Sequence, residues 1–147
     1  MTGQSREGSP LGVVVVTHGQ LATELLNAAE SIVGDLPRFT AVSIGWHDDT
    51  RDAKVEIEQA ITRVQQGAGF LIVTDMFGGT PSNLALTFLE PDVVEVITGV
   101  NLPMLIKLAG LSDANDLLSV SREMREHGRQ AIWVVSDLLR GQTPSAS

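Results

Sequence analysis

The chain contains no cysteine, and that one absence removes disulfides, thiolate catalysis and cysteine-based zinc sites together. It also fits a cytoplasmic location. Positive charge is scarce: ten lysines and arginines stand against eighteen aspartates and glutamates, a formal net charge of −8, and no basic cluster occurs. Neutralising a phosphate backbone needs grouped positive charge, so nucleic acid is not an expected partner. A charged protein partner is expected to be basic. No apolar run approaches the roughly 18 residues that a membrane-spanning helix requires. The polar segment Met1 to Pro10 has no apolar stretch and reads as a flexible start rather than a signal peptide. The loops GxGxxG, GxxxxGK[ST] and GxSxG are all missing, which sets aside the usual nucleotide-binding turns and the serine nucleophile elbow.

What is present suits one domain with one sizeable core: 147 residues, 43% of them hydrophobic. Residues 11–136 are expected to form it, with 1–10 as a flexible N-terminus and 137–147 as a tail. Leu11 to Val16 is a short, β-branched apolar run, the mark of a strand buried on both faces. Leu21, Leu25, Ala28, Ala29 and Ile32 then recur at helical spacing up to Gly34. The alternation continues with a strand over Phe39 to Trp46, a helix over Thr50 to Gln66 and a strand over Phe70 to Thr74. In "GGTPSNLALTFL" Thr80 reads as an N-cap and Pro81 as the first helical residue. Val93 to Ile97 predicts a strand and Asn101 to Ala109 a short helix. Asp113 to His127 predicts a helix closed by Gly128, and Gln130 to Val135 a last strand. Strands alternating with helices imply an α/β fold: an open, mostly parallel sheet with helices on both faces. Ligands of such sheets bind beyond the carboxyl ends of the strands, where strand order reverses.

His18 and Asp75 both fall at such ends. If the second strand lies on one side of the first and the third on the other, the two residues flank the crevice. The bland reading of His18 is an inert turn residue. Against it stand Gly19, which permits close backbone approach, and the following helix, whose first N–H groups favour an anion. An imidazole with one nitrogen held by a carboxylate leaves the other free as nucleophile or base. Asp75 alone could simply cap the loop Met76-Phe77-Gly78-Gly79. Gly78, Gly79 and Thr80, however, place backbone N–H groups and a hydroxyl where phosphate oxygens could rest. Met76 and Phe77 are read either as buried lid residues or as a docking surface. His47-Asp48-Asp49 reads as a solvated loop with helix-capping carboxylates rather than a metal site, because consecutive side chains point apart. His127 is expected to face the negative end of its helix dipole.

Three stretches, "VVVVTHGQLATELLNAAESIVG", "LIVTDMFGGTPSNLAL" and "VITGVNLPMLIKL", together resemble the EIIA domain of the mannose-type branch of the bacterial sugar phosphotransferase system. The resemblance covers residues 11 to 136. It implies that His18 accepts a phosphoryl group from the phosphocarrier HPr and passes it to a histidine on a IIB partner. It implies further that Asp75 hydrogen-bonds the ring to leave Nε2 free, and that Gly78, Gly79 and Thr80 surround the phosphoryl oxygens. No metal, nucleotide or other cofactor enters that scheme. It also suggests a homodimer in which a C-terminal strand, here Arg129 to Val135, is exchanged. With the chain ending near residue 147, the IIB partner is expected on another polypeptide. Two neighbouring readings share the site: the phosphotransfer subunit of a dihydroxyacetone kinase, and a regulatory module whose phosphorylation state tunes binding to a target. The sugar itself is not legible, since this component handles only phosphate.

Overall fold

Four consecutive valines fit a strand with an apolar layer on each side, and β1 (Gly12–His18) is that strand, with Val13, Val14, Val15 and Val16 wholly buried. Each such burial is worth on the order of 1.5–3 kcal/mol. The computed structural model describes residues 11–64, 69–111 and 116–141. Within them α1 (Leu21–Val33), β2 (Phe39–Ile44), α2 (Thr50–Val64), β3 (Phe70–Thr74), α3 (Thr80–Leu86), β4 (Val94–Thr98), α4 (Leu102–Ala109), α5 (Leu117–Gln130) and α6 (Val135–Leu139) follow in order. The expected flexible N-terminus, the last two residues expected in α2, and Asp113 at the expected start of α5 lie outside the described residues.

The four strands form one parallel sheet in the order β2-β1-β3-β4. Alternation along β1 splits its valines between two cores. Val13 and Val15 join α1, α4 and α5 on one face through Leu26, Leu105, Leu108 and Met124. Val14 and Val16 join α2 and α3 on the other through Ile57, Val64 and Leu84. The chain steps from β1 out to β2 and back across to β3, so the strand order reverses at β1 and β3, and His18 and Asp75 sit at the carboxyl ends on either side of that point.

Three expectations need correction. Gly128 does not close α5, which runs on to Gln130. A Cβ at Gly128 would lie 3.0 Å from Met104 Cε and 3.4 Å from Asn101 Oδ1, and its carbonyl accepts a hydrogen bond from Asn101 Nδ2 (3.0 Å). The glycine lets α4 approach α5; it is not a cap. His127 nonetheless lies in the last turn of α5, as the dipole reading required. Second, residues 131–134 form no strand, and α6 follows them. A strand needs a neighbour to complete its ladder, and in the single chain this segment has none. Ile132, Val134 and Val135 are left exposed as a result. Third, Gly79 rather than Thr80 is the N-cap of α3, putting Thr80 at its first position.

Candidate functional site

His18 is fixed from both sides of its own backbone. Thr17, fully buried, accepts the Ala22 N–H on Oγ1 (2.6 Å) and so ties the end of β1 to the start of α1, whose N-cap Gln20 offers no side-chain bond. Gly19 donates its N–H to the Ile44 carbonyl (2.8 Å), anchoring the turn to β2. Across the crevice, Asp75 Oδ2 accepts the His18 backbone N–H (3.0 Å) and contacts His18 Nδ1 (2.8 Å), while Oδ1 accepts the Met76 N–H (3.0 Å). The aspartate side chain is 13% exposed and the histidine 50%, so the carboxylate is shielded while the ring reaches solvent.

Burial pushes the Asp75 carboxyl upward, but the hydrogen bonds from the His18 backbone and ring and the charge of His18 outweigh it and hold the group below the ordinary carboxylate value. Asp75 is therefore ionised at neutral pH and can only accept. The proton of the 2.8 Å contact consequently belongs to Nδ1, and Nε2 of the neutral ring carries a lone pair.

Nε2 faces the Gly78–Gly79 turn. A Cβ built on Gly79 would lie 2.7 Å from His18 Cε1 and 2.9 Å from Nε2, closer than real Cβ contacts come. The backbone of residue 79 thus forms a floor against the reactive edge of the ring, and only glycine fits. Because Gly79 has φ −110° and ψ 179°, alanine meets no backbone strain there. Gly79→Ala is therefore expected to leave the circular dichroism spectrum and melting temperature nearly native while displacing the imidazole. A misplacement near 1 Å costs about 100-fold in rate. Rapid-quench measurement of phosphoryl transfer checks this, and a native rate would show that the floor is irrelevant.

The four residues expected to line a phosphate differ in what they offer. The N–H groups of Gly19 and Gly78 are engaged, by the Ile44 carbonyl and by Ser82 Oγ (2.9 Å) respectively. Gly79 and Thr80, at the N-cap and first position of α3, carry N–H groups that no earlier helical turn can satisfy. Thr80 and Gly19 line, with His18, Ile44, Trp46 and Asp48, a cavity of roughly 450 Å³ beside the ring. Met76 and Phe77 are 55% and 73% exposed, which removes the buried-lid alternative. Asp48 accepts the Gly45 N–H and Asp49 the Arg51 N–H (2.7 Å), as loop and capping carboxylates do. No group of three or more potential metal-ligating side chains occurs among the described residues. Sequence reasoning missed Thr17, Ser82 and Trp46; the first two stand within the T-H-G and G-G-T-P-S-N stretches, and Trp46 follows a glycine at the end of β2.

Residues 12–124 match the family model described as PTS system fructose IIA component, EIIA-man. The PTS system fructose-specific EIIA component of Bacillus subtilis (strain 168) is 25% identical over 130 residues, spanning 88% of this chain and 89% of that protein. The PTS system mannose-specific EIIAB component of Escherichia coli (strain K12) is 29% identical over 132 residues, 83% of this chain but 39% of that longer protein. In three dimensions the chain is similar to the crystal structure of the PTS IIA protein associated with the fucose utilization operon from Streptococcus pneumoniae. The TM-score is 0.79 at 25% identity, covering 90% of this chain and 98% of that one. No helix among the described residues is long and apolar enough to cross a membrane. With the matched family model running from the first strand into α5, the chain belongs to the mannose-type EIIA family of the sugar phosphotransferase system.

Proposed function

We propose that the protein is a cytoplasmic phosphocarrier that takes a phosphoryl group from an HPr-like donor onto Nε2 of His18 and hands it to a histidine of a IIB protein. The observation that carries this reading is the 2.8 Å contact of Nδ1 with an ionised Asp75, which leaves the Nε2 lone pair beside Gly79. In the transfer, that lone pair forms a new P–N bond as the donor's P–N bond breaks, and the donor imidazole keeps the electron pair. The second transfer repeats the step with His18 as the leaving group. Exchange between two histidines is nearly isoenergetic, so the protein's task is alignment and charge stabilisation without water. Asp75 balances the positive charge that develops on the ring, and the Gly79 and Thr80 N–H groups receive phosphoryl oxygens. Met76 and Phe77, with Trp46 at 92% exposure on the cavity rim, form the apolar surface that the partner meets.

Intact-mass measurement after incubation with phosphoenolpyruvate, enzyme I and HPr tests the reading. An acid-labile gain of one phosphoryl group, about 80 Da, is expected. No gain with an HPr that is active on another carrier overturns it.

The exposed segment after α5 bears on assembly. We infer that residues 131–135 complete the sheet of a second copy by pairing with the open edge of β4, where a groove runs between Glu95, Ile97 and Thr98 and the α5 residues Leu118 and Arg122. Light scattering coupled to gel filtration should give twice the chain mass, and truncation after Gln130 should halve it. A native chain at monomer mass across the micromolar range refutes the pairing.

A further inference from the structure

Helix α3 starts at a glycine N-cap with no side chain to satisfy its first N–H groups. Ser82, at the third helical position and wholly buried, reaches back instead: its Oγ accepts the Gly78 N–H at 2.9 Å and donates to the Gly79 carbonyl at 3.2 Å. That is the place from which the Glu or Gln of a capping box reaches backward, here taken by a hydroxyl and aimed one residue earlier. The Gly79 carbonyl also receives the Asn83 N–H at 2.9 Å.

The segment so held is the least constrained kind of backbone, two consecutive glycines, the first at φ +99°. It is also the segment whose second residue lies against Cε1 and Nε2 of His18. We propose that Ser82 is a positioning residue for phosphoryl transfer: its hydroxyl clips the Gly78–Gly79 turn and so sets the distance between the Gly79 backbone and the attacking nitrogen. Ser82 touches neither the ring nor the phosphoryl group; it acts through the turn. The proposal rests on the phosphocarrier reading of His18, and it accounts for a fully buried serine in a helix otherwise packed through Leu84 and Ala85.

A buried hydroxyl that merely stabilises would behave differently, and Ser121 supplies that comparison. It is 5% exposed, donates to the Leu117 carbonyl at 2.9 Å, and sits on α5, on the opposite face of the sheet from α3. The experiment compares Ser82→Ala with Ser121→Ala in the full chain. Both are read by the KM and kcat of transfer from phospho-HPr and by the His18 ring resonances of the unphosphorylated protein. Ser82→Ala should lower kcat about tenfold, less than a full 1 Å misplacement, with KM within twofold of native. It should also shift the His18 Cε1–H resonance, and Ser121→Ala should do neither. Native kcat together with unmoved His18 resonances in Ser82→Ala overturns the proposal, as does an equal kcat loss in Ser121→Ala. Should Ser82→Ala lose its native circular dichroism, Ser82→Cys, slightly larger and a weaker donor, decides by the same two readouts. If the native chain takes up no phosphoryl group, the phosphocarrier reading fails, while the ring resonance still reports whether the clip positions His18.

Discussion

Replacing His18 with alanine is expected to abolish phosphoryl uptake from phospho-HPr completely, with no residual label on either other histidine. The chain has histidines at 18, 47 and 127. His47 lies in the exposed turn after β2, its ring edge-on to Trp46 at 6.3 Å, and His127 lies in the last turn of α5. Among the described residues only His18 has a carboxylate on a ring nitrogen, and that contact leaves the lone pair on the other nitrogen, Nε2. The substitution should spare the fold, because the bond from the backbone N–H of residue 18 to Asp75 survives in alanine and the side chain is half exposed. Peptide mapping of the native protein and intact mass of the variant check both halves. Label remaining in His18→Ala, or found on the peptide carrying His47, moves the carrier site.

The sheet, its helices and the His18–Asp75 pair were legible because each rests on a strong local signal or a general topological rule. β-branched runs marked β1 and β3, and the switch-point rule brings their carboxyl ends together once β2 and β3 lie on opposite sides of β1, a condition that the sequence left open and the order β2-β1-β3-β4 meets. Thr17 and Ser82 were not legible as positioning groups, since a small hydroxyl that bonds backbone across a turn leaves no periodic trace. The glycine at 128 carried a signal with two meanings. A C-cap and a close helix crossing ask for the same residue, and only the place of Met104 and Asn101 decides for the crossing. The strand expected over Gln130 to Val135 failed for a different reason. Its apolar, β-branched composition is right for a strand, but pairing is a property of two segments, and within one chain the edge of β4 is not reached.

Asp75→Asn is expected to slow transfer by about 10²–10³-fold while the protein stays folded, the range typical of removing one group that stabilises charge in the transition state. Asp75 accepts three N–H donors: the His18 backbone and ring on Oδ2, and the Met76 backbone on Oδ1. An amide has one acceptor oxygen. If Asn keeps that oxygen toward His18, its NH₂ group opposes the Met76 N–H; if it turns round, it opposes Nδ1–H and drives the proton to Nε2, the atom that must attack. Even in the better orientation the negative charge that offsets the developing imidazolium is gone. The same residue sets an acid limb of stability whose sign follows from its lowered pKa. As pH falls through the ordinary 3.8, the unfolded chain takes up this proton first and the native state only lower. The contribution is therefore complete above 3.8 and is lost as pH falls through the folded value. Urea unfolding of native and Asp75→Asn protein from pH 6 down to about pH 2.5 should show the native advantage shrinking only below that point. Parallel curves would mean the carboxylate is no better held in the folded chain than in the unfolded one. The tautomer of His18 would then need another cause, even if the variant transferred slowly.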